Sequence, residues 1–369
     1  MKYTFQNPDD FVQYLAGGEA EETVVRTARF KYMGLYPHVL KYALWCTKEG
    51  GEILLEDSGP LHSHGWIKEI PFAMVRYWTA KLLKGYGAIT DIDERKLTLR
   101  VVRSEKRSKD DWGIGIIASG SEDEAEILGR CIQNAVALKA VARNKIYICG
   151  PEPLSRVASD AGINFVLYGD TSDKKAARFM IGAKKNFLID KIDAEKVAVV
   201  HSRILFEPET IRMLPREFDI ISPASYVSGR EGAIRYLDIA STDLMLPGVM
   251  PSRRPRSTRN EPESHLRLMK FGRPYIDGSM MFFRKEVWQS CPLDPALAWG
   301  EFEDVEWGMR AWANGFLVDL FPKARVVSQT TKLPGGDNLP KAVRGIVKGL
   351  YATGLNVGGY IRYWKRLIS

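Results

Sequence analysis

Four carboxylates lie within six residues of one segment of the chain, between two tryptophans. The segment WGEFEDVEWGMR contains Trp299, Glu301, Glu303, Asp304, Glu306 and Trp307. Apolar surroundings and neighbouring acids both raise the pKa of a carboxyl group, and a carboxylate of raised pKa can act as a general base. The alternative is the acidic first turn of a helix, where carboxylates interact favourably with the helix dipole. The segment therefore predicts a general base or a helix start.

The elements that must position this segment are predicted from residue 112 onward. Apolar strands are predicted over residues 113–119, 145–149, 164–168 and 197–200, and helices over 121–141, 153–161 and 174–189. Strands that alternate with helices are typical of an α/β fold, a Rossmann-like, mainly parallel sheet with helices on both faces.

Ligands bind to such sheets beyond the carboxyl ends of the strands. The residues that follow the four strands are Ser119-Gly120, Gly150-Pro151, Gly169-Asp170 and His201-Ser202-Arg203. The chain contains neither G-x-G-x-x-G nor G-x-x-x-x-G-K-[ST]. Their absence disfavours a Rossmann dehydrogenase and a P-loop NTPase.

The composition is that of a soluble globular protein with anionic partners. Of 369 residues, 45% are hydrophobic and 27% charged, and the net charge is +8. This balance favours phosphorylated ligands, anionic lipid or nucleic acid. The cysteines Cys46, Cys131, Cys149 and Cys291 form no C-x-x-C pair, which indicates free thiols in a reducing compartment. No signal pattern and no apolar run of about 18 residues is present, so we expect a cytoplasmic protein that does not span a membrane.

Residues 1–108 predict a small α/β domain. Helices are predicted over 23–47 and 67–83, a buried strand over 52–57, and a hairpin over 88–92 and 97–102. The run VLKYALWCTKEGGEILLEDSG with the helix and hairpin after it resembles the second half of a class I methyltransferase fold. No glycine-rich cofactor loop precedes it, so the domain is expected to be non-catalytic. His62 and His64 are spaced like metal ligands, but no acid or cysteine cluster completes a set, so loop histidines are expected. The charged stretch 103–111 predicts a linker to a second domain, residues 109–332.

Motifs of the second domain carry a family resemblance over roughly residues 112–329. They are GIIASGSEDEAEILGRCIQNAV, GAKKNFLIDKI, KVAVVHSRILFEP, and YIDGSMMFFRKEVW followed by WGEFEDVEWGMRAWANGF. In this order they resemble a glycosyltransferase of the GT-A fold, close to the family-2-like inverting group. The resemblance implies a nucleotide-sugar donor and a hexosyltransferase activity in polysaccharide biosynthesis.

The resemblance also implies a role for each candidate residue. Asp304 would be the general base, with Glu303 orienting the site and Glu301 as the fallback. The implied donor-binding residues are Ser119, Gly120, Asp170, Lys185, Asn186, His201 and Arg203. The implied acceptor or sugar contacts are Trp299, Glu301, Asp277 and Gly278. For Asp277 an ordinary Asp-Gly turn is the alternative.

The strand that should end in the family's acidic metal motif ends instead in His201-Ser202-Arg203. Mg²⁺ and Mn²⁺ need hard oxygen ligands, and His201 is the one candidate ligand at this position. A divalent metal and a metal-independent donor site are therefore both open. Arg203 could neutralise the leaving diphosphate by bidentate hydrogen bonds, or it could form an ion pair with Glu207.

Two basic segments lie outside this pattern. Residues 247–259 contain four arginines among Pro and Ser, and predict an exposed loop that either grips phosphate or an anionic acceptor or is simply solvated. The tail over 333–369 is predicted to be helical, and it is basic and amphipathic from residue 341 onward. It suits the inner face of an anionic membrane, or packing on the sheet or a partner subunit. No nucleic-acid binding is expected, because aromatic residues do not interleave with the basic ones.

Together these features predict a cytoplasmic glycosyltransferase that moves a sugar, with inversion, to a hydroxyl of a glycan or lipid-linked acceptor. Two alternatives stay open. One is a GT-A-like protein that binds a nucleotide sugar or glycan without turning it over. The other is a methyltransferase, from the N-terminal resemblance.

Overall fold

A computed structural model describes residues 1–5, 20–26, 36–56, 72–83, 86–96, 98–104, 109–169, 180–229, 232–236, 238–242, 256–257, 273–297 and 302–330. Three β-sheets form this part of the chain, with five, nine and three strands. No helix within these ranges is both long enough and apolar enough to cross a membrane.

The five-stranded sheet is formed by the N-terminal residues. Its elements are β1 (Lys2–Phe5), β2 (Ala20–Arg26), α1 (Tyr36–Cys46), β3 (Thr47–Glu56), α2 (Phe72–Leu82), β4 (Gly87–Asp93) and β5 (Thr98–Arg103). The strand order is β1-β2-β3-β5-β4, in which β1, β2 and β3 are parallel and β5 is antiparallel to both its neighbours. The predicted strand and hairpin are confirmed. The helix predicted over 23–47 is wrong at its start, because Thr23, Val24 and Val25 are β-branched residues that pair with both neighbouring strands in β2.

Helix α1 is buried along most of its length. Every residue from Val39 to its end is buried, as expected of a helix that is apolar on all sides. Leu317 belongs to the same core, and Trp312 packs against it. The helix therefore lies between the N-terminal sheet and the remainder of the molecule.

Buried polar contacts also join α1 to the central part of the chain. Lys41 forms an ion pair with Asp219, and Arg284 Nη2 lies 2.7 Å from the other oxygen of that carboxylate. The hydroxyl of Tyr42 donates to Asp319. Burial alone would raise the pKa of Asp219, but Lys41 and Arg284 outweigh it and hold the pKa below its ordinary value. The contact between the two parts is thus both apolar and ionic.

The central sheet begins at residue 112. Its first strands are β6 (Trp112–Ile117), β7 (Ile146–Gly150), β8 (Asn164–Leu167), β9 (Lys196–His201), β10 (Ile204–Phe206), β11 (Ile220–Gly229) and β12 (Gly232–Arg235). The small third sheet follows with β13 (Ile239–Thr242), β14 (Arg256–Ser257) and β15 (Arg273–Ile276), and the central sheet is completed by β16 (Met280–Arg284) and β17 (Val318–Ser328). The order is β10-β17-β11-β16-β9-β6-β7-β8, and β12 pairs with β11. The pairs β9–β6, β6–β7, β7–β8 and β11–β17 are parallel, whereas β16 is antiparallel to both β9 and β11.

Helices cover both faces of this sheet. They are α3 (Ala125–Val136), α4 (Leu154–Ala161), α5 (Ile181–Lys191), α6 (Thr210–Met213), α7 (Lys285–Ser290) and α8 (Glu303–Ala313). Alternate residues of β9 face opposite layers: Ala198 and Val200 share a core with α3 and α4, while Val197 and Val199 share one with α5 and α8. The predicted fold class, a mainly parallel α/β sheet between helices with a small N-terminal α/β unit, is confirmed.

Two glycines of β6 determine how closely α5 approaches the sheet. A Cβ at Gly113 would lie 2.3 Å from Ile192, and one at Gly115 would lie 2.7 Å from Leu188. Because both positions lack a side chain, α5 packs directly on the backbone of β6. The lysines of α5 therefore lie close to the carboxyl end of that strand.

Candidate functional site

The loop after β6 is held by the carboxylate of Glu124. Ser119 and Gly120 each donate a backbone N–H to Oε2 of Glu124, at 2.6 and 3.0 Å, and Ser119 donates its hydroxyl to the same oxygen at 2.5 Å. Gly120 has a φ of 74°, and a Cβ there would lie 2.6 Å from Cγ of Pro151, so the position favours glycine. The two residues predicted to contact a donor thus lie in a fixed loop at the end of β6.

The turn after β9 contacts this loop on one side and the turn after β15 on the other. Ser202 donates its hydroxyl to Oε1 of Glu124 and its backbone N–H to Ile117 O at 3.2 Å. His201 donates its backbone N–H to Ser279 O at 2.9 Å. The ends of β6 and β9 and the turn before β16 are therefore joined at one edge of the central sheet.

Arg203 and His201 contact each other within the turn after β9. Nη1 of Arg203 lies 3.4 Å from Nδ1 of His201, and both side chains are half-buried. Because a guanidinium only donates, this contact is a hydrogen bond when Nδ1 of His201 carries no proton. The contact that holds Arg203 is therefore with His201 and not with Glu207, the alternative considered from the sequence.

Consecutive lysines of α5 reach two different parts of the site. Lys184 Nζ donates to Ala118 O at 2.7 Å, and burial holds the pKa of this lysine below its usual value. Lys185 Nζ donates to Gly278 O at 2.7 Å and to Glu303 Oε1 at 2.8 Å. Lys185 is 0% exposed, so in this arrangement it links α5 to α8. Its predicted contact with a donor remains a prediction.

Asn186 has a structural role in this arrangement. Its amide nitrogen donates to Leu293 O at 2.7 Å, and its oxygen accepts from Nε1 of Trp288 at 2.7 Å and from Leu293 N at 3.1 Å. These bonds hold the chain after α7 and leave little hydrogen-bonding capacity for a ligand. The predicted contact of Asn186 with a donor stays a prediction.

The turn at Asp277-Gly278 lies directly against Asp304. Gly278 donates its backbone N–H to Oδ2 of Asp304 at 2.7 Å, and a Cβ at Gly278 would lie 2.8 Å from that oxygen. Asp277 Oδ1 accepts from Ser279 N at 2.8 Å, as in an Asx turn. Asp277 is 1% exposed. The structure thus brings Gly278 and Asp304 together, and it gives Asp277 the turn geometry that was its alternative.

The carboxylates at the start of α8 have separate partners. Glu303 is buried against Lys185, Asp304 is half-buried, and Glu306 forms an ion pair with Arg310 at 2.5 and 2.9 Å. All three acids lie in the first turn of the helix, so the predicted helix start is confirmed. Phe302, just before them, has a φ of 60°, which costs energy for a residue with a side chain and recurs at functional sites.

Trp307, one of the two tryptophans that flank these acids in the sequence, does not line a pocket around them. This side chain is 0% exposed, stacks edge-on against Phe283 at 5.3 Å and donates Nε1 to Cys291 O at 2.6 Å. It faces the core because positions 303, 307 and 311 share one face of α8. The partner of Glu303 is a lysine, not an aromatic ring.

The residues at the end of β9 do not fit a divalent cation. Within the described ranges, no group of three or more His, Cys, Asp or Glu converges as metal ligands do. His201 Nδ1 faces a guanidinium, and the nearby carboxylate of Glu124 already accepts four hydrogen bonds.

Several predicted features lie outside the described residues. They are Asp170, Trp299, Glu301, His62, His64, most of the loop 247–259, and the tail 333–369. Of the arginine-rich loop only Arg256–Ser257 is described, as the backbone of β14.

Glu124 and Lys184 were not among the candidates from the sequence. Glu124 belongs to the run Ser121-Glu122-Asp123-Glu124, which is typical of an ordinary acidic helix start. The one sequence signal for its contact with the loop is its position, five residues after Ser119 at the end of a predicted strand. Lys184 directly precedes Lys185, the lysine that the family resemblance favours. The residues themselves do not distinguish the two adjacent lysines.

No protein-family model and no curated protein matches this chain. Similar solved structures include S. aureus TarS 1–349, with a TM-score of 0.40 and 10% identity over 64% of this chain and 68% of that chain. Another is GalNAc-T7 with UDP, GalNAc and Mn²⁺, with a TM-score of 0.41 and 15% identity over 66% of this chain and 47% of that chain. This chain thus spans about half the length of GalNAc-T7. Both are GT-A-type glycosyltransferases, and the methyltransferase resemblance has no support among them. The likenesses are too distant to carry an argument about activity.

Proposed function

We propose that the protein transfers a sugar from a nucleotide-sugar donor to an acceptor hydroxyl, with inversion at the anomeric carbon. The acceptor is a glycan or a lipid-linked glycan. The bond from the acceptor oxygen to the anomeric carbon forms as the bond to the diphosphate breaks. The acceptor proton goes to a carboxylate, and the bonding electrons leave with the nucleoside diphosphate.

One observation carries this proposal. The backbone bond from His201 to Ser279 joins the turn that bears Arg203 to the turn that contacts Asp304. The cation thus lies on one turn, and the carboxylate, on α8, contacts the adjoining turn, at the carboxyl edge of a mainly parallel sheet, where ligands bind to such folds. Displacement of a diphosphate needs this pair, a base for the nucleophile and a cation for the leaving group.

Asp304 is the general base in this proposal. Oδ2 accepts from Gly278 N and Oδ1 from Val305 N, at 2.7 and 2.9 Å. Glu303 forms an ion pair with Lys185, so in this proposal it positions the start of α8.

Arg203 stabilises the leaving diphosphate in this proposal. A guanidinium matches two phosphate oxygens and stays charged at any working pH. His201 orients it from one side at 3.4 Å. A site of this kind needs no divalent cation at the end of β9, and we propose that donor cleavage is insensitive to chelators.

Release of nucleoside diphosphate from a panel of common nucleotide sugars, with and without EDTA, tests the proposal. Asp304→Asn should lower turnover by about 100- to 10,000-fold, the usual contribution of a general base. The amide oxygen can still accept from Gly278, so donor binding in a thermal-shift assay should persist. Glu306→Gln, in the same helical turn, is the matched control and should turn over like the wild type. Loss of both turnover and binding in Asp304→Asn would mean that this residue is structural.

The second candidate is a protein that binds a nucleotide sugar or a glycan without turnover. It is favoured by the absence of a carboxylate among His201, Ser202 and Arg203. A ligand-dependent thermal shift without diphosphate release from any donor would support this candidate and exclude the first.

A further inference from the structure

Glu124 connects the two elements on which the proposed donor site depends. Oε2 accepts three hydrogen bonds from Ser119 and Gly120, in the loop after β6. Oε1 accepts the hydroxyl of Ser202, in the turn after β9. The two oxygens of one carboxylate thus hold two segments that are about eighty residues apart in the chain, since Ser202 and Glu124 are separated by 78 positions.

This arrangement differs from ordinary helix capping. In a capping box the N-cap Ser bonds forward and the acid three residues later bonds back to the N–H of that Ser. Ser121 and Glu124 have this spacing, but Ser121 makes no side-chain cap bond. Glu124 bonds instead to the two residues before the cap and to a different strand end. Its contacts therefore shape the loop rather than start the helix.

A second side chain holds the same loop from the sheet side. Lys184 Nζ donates to Ala118 O at 2.7 Å, directly before Ser119. The loop is thus bonded on one side by an ammonium and on the other by a carboxylate. With four donors around it, the carboxylate of Glu124 has little remaining capacity to bind a ligand itself.

We propose that Glu124 is a positioning residue of the donor site, which acts through Ser202. The bond to Ser202 fixes the turn that carries Arg203 relative to the loop at Ser119-Gly120. The diphosphate of the donor then meets a preformed pair of segments, so that binding does not have to order them. This inference rests on the proposed function, and the ligand concerned is the nucleoside diphosphate part of the donor.

Variants can separate the link from the loop itself. Ser202→Ala removes the link and leaves the loop bonded to Glu124. Glu124→Ala removes both, and Glu124→Gln restores both, because its amide can accept from the loop and donate to the Ser202 oxygen. Glu122→Ala is the matched control, since Glu122 is an exposed acid of the same turn.

Calorimetric titration with UDP, GDP, CDP and ADP, together with donor kinetics, tests the inference. Because binding would then have to order the turn that carries Arg203, we expect up to about tenfold weaker binding of the preferred diphosphate by Ser202→Ala. The KM for the donor should rise more than kcat falls, and the unliganded melting temperature should stay close to that of the wild type. Adding Ser202→Ala to Glu124→Ala should weaken binding no further, because one link is removed twice.

Three outcomes distinguish the possible failures. If the wild type binds a diphosphate and Ser202→Ala binds it equally well, the positioning role is refuted and the proposed function stands. If Glu124→Gln is as impaired as Glu124→Ala, the carboxylate acts by its charge and the inference is likewise overturned. If the wild type binds none of the four diphosphates, the proposed function fails and this inference fails with it. Should Ser202→Ala not fold, Glu124→Asp, which is too short to span both partners, answers the same question.

Discussion

Replacing Lys41 by Met tests whether the N-terminal sheet and the central sheet unfold as one unit. Lys41 lies on α1, and its partner Asp219 is 0% exposed at the start of β11. Methionine keeps most of the side-chain volume, so the change removes a charge rather than creating a cavity. Any loss of stability then reports on the ionic contact between the two parts.

The expected loss follows from what remains around Asp219. Breaking a buried ion pair on one side usually costs about 3–5 kcal/mol, because it leaves an uncompensated charge. Arg284 Nη2 and Leu317 N still donate to the carboxylate, at 2.7 and 2.8 Å. The loss in free energy of unfolding should therefore be about 3 kcal/mol, at the low end of that range.

Urea denaturation followed by circular dichroism measures this loss as a lower midpoint at an unchanged slope. Lys48→Met is the matched control. Lys48 pairs with Glu21 at 2.9 Å, but both side chains are exposed, so water screens the pair. The reasoning is refuted if the two variants unfold at the same midpoint. It is also refuted if Lys41→Met shows a second transition with the first unchanged.

Three further predictions concern the described residues. The two cationic partners of Asp219 hold its pKa below the ordinary value. The stabilisation from Asp219 should therefore be present above about pH 4 and lost as the pH falls through the folded-state pKa. Asp219→Asn should flatten the acid side of the stability curve measured by urea titration. Lys185→Met should lower the free energy of unfolding by about 3–5 kcal/mol, since Glu303 would be left buried without its cation, and adding Glu303→Gln should recover part of that loss. Gly278→Ala should lower kcat with little change in the circular dichroism spectrum. The added Cβ would lie 2.8 Å from Asp304 Oδ2 and must displace that carboxylate. An unchanged kcat would show that the position of the carboxylate is not critical.

The strands and helices of the central sheet could be predicted because their patterns are local. Runs such as those of β6, β7 and residues 197–200 of β9 are apolar, as buried parallel strands are. The start of the predicted first helix failed for the opposite reason. Residues 23–26 fit a helical spacing, and their pairing with β1 and β3 depends on residues far away in the chain.

The candidate site was predictable in its residue types and not in its contacts. Asp304 and Gly278 were both singled out, but the bond between them spans 26 positions, and no local pattern encodes it. The resemblance assigned Asn186 to the donor, and no local pattern shows its contacts with Trp288 and Leu293, about a hundred residues later. An acid at a helix start is so common that Glu124 could not be distinguished from its neighbours.

The place where α1 docks has a consequence for handling the protein. Asp219 and Leu317 directly precede β11 and β17. Arg284, in the antiparallel β16, pairs with Lys196, the first residue of β9. All three residues therefore lie at the amino edge of the central sheet. The candidate site occupies the opposite, carboxyl edge. Because α1 joins the N-terminal sheet to this amino edge, a linkage placed on the N-terminal sheet would lie away from the candidate site. A bulky ligand could then approach the candidate site of an immobilised molecule without meeting the matrix.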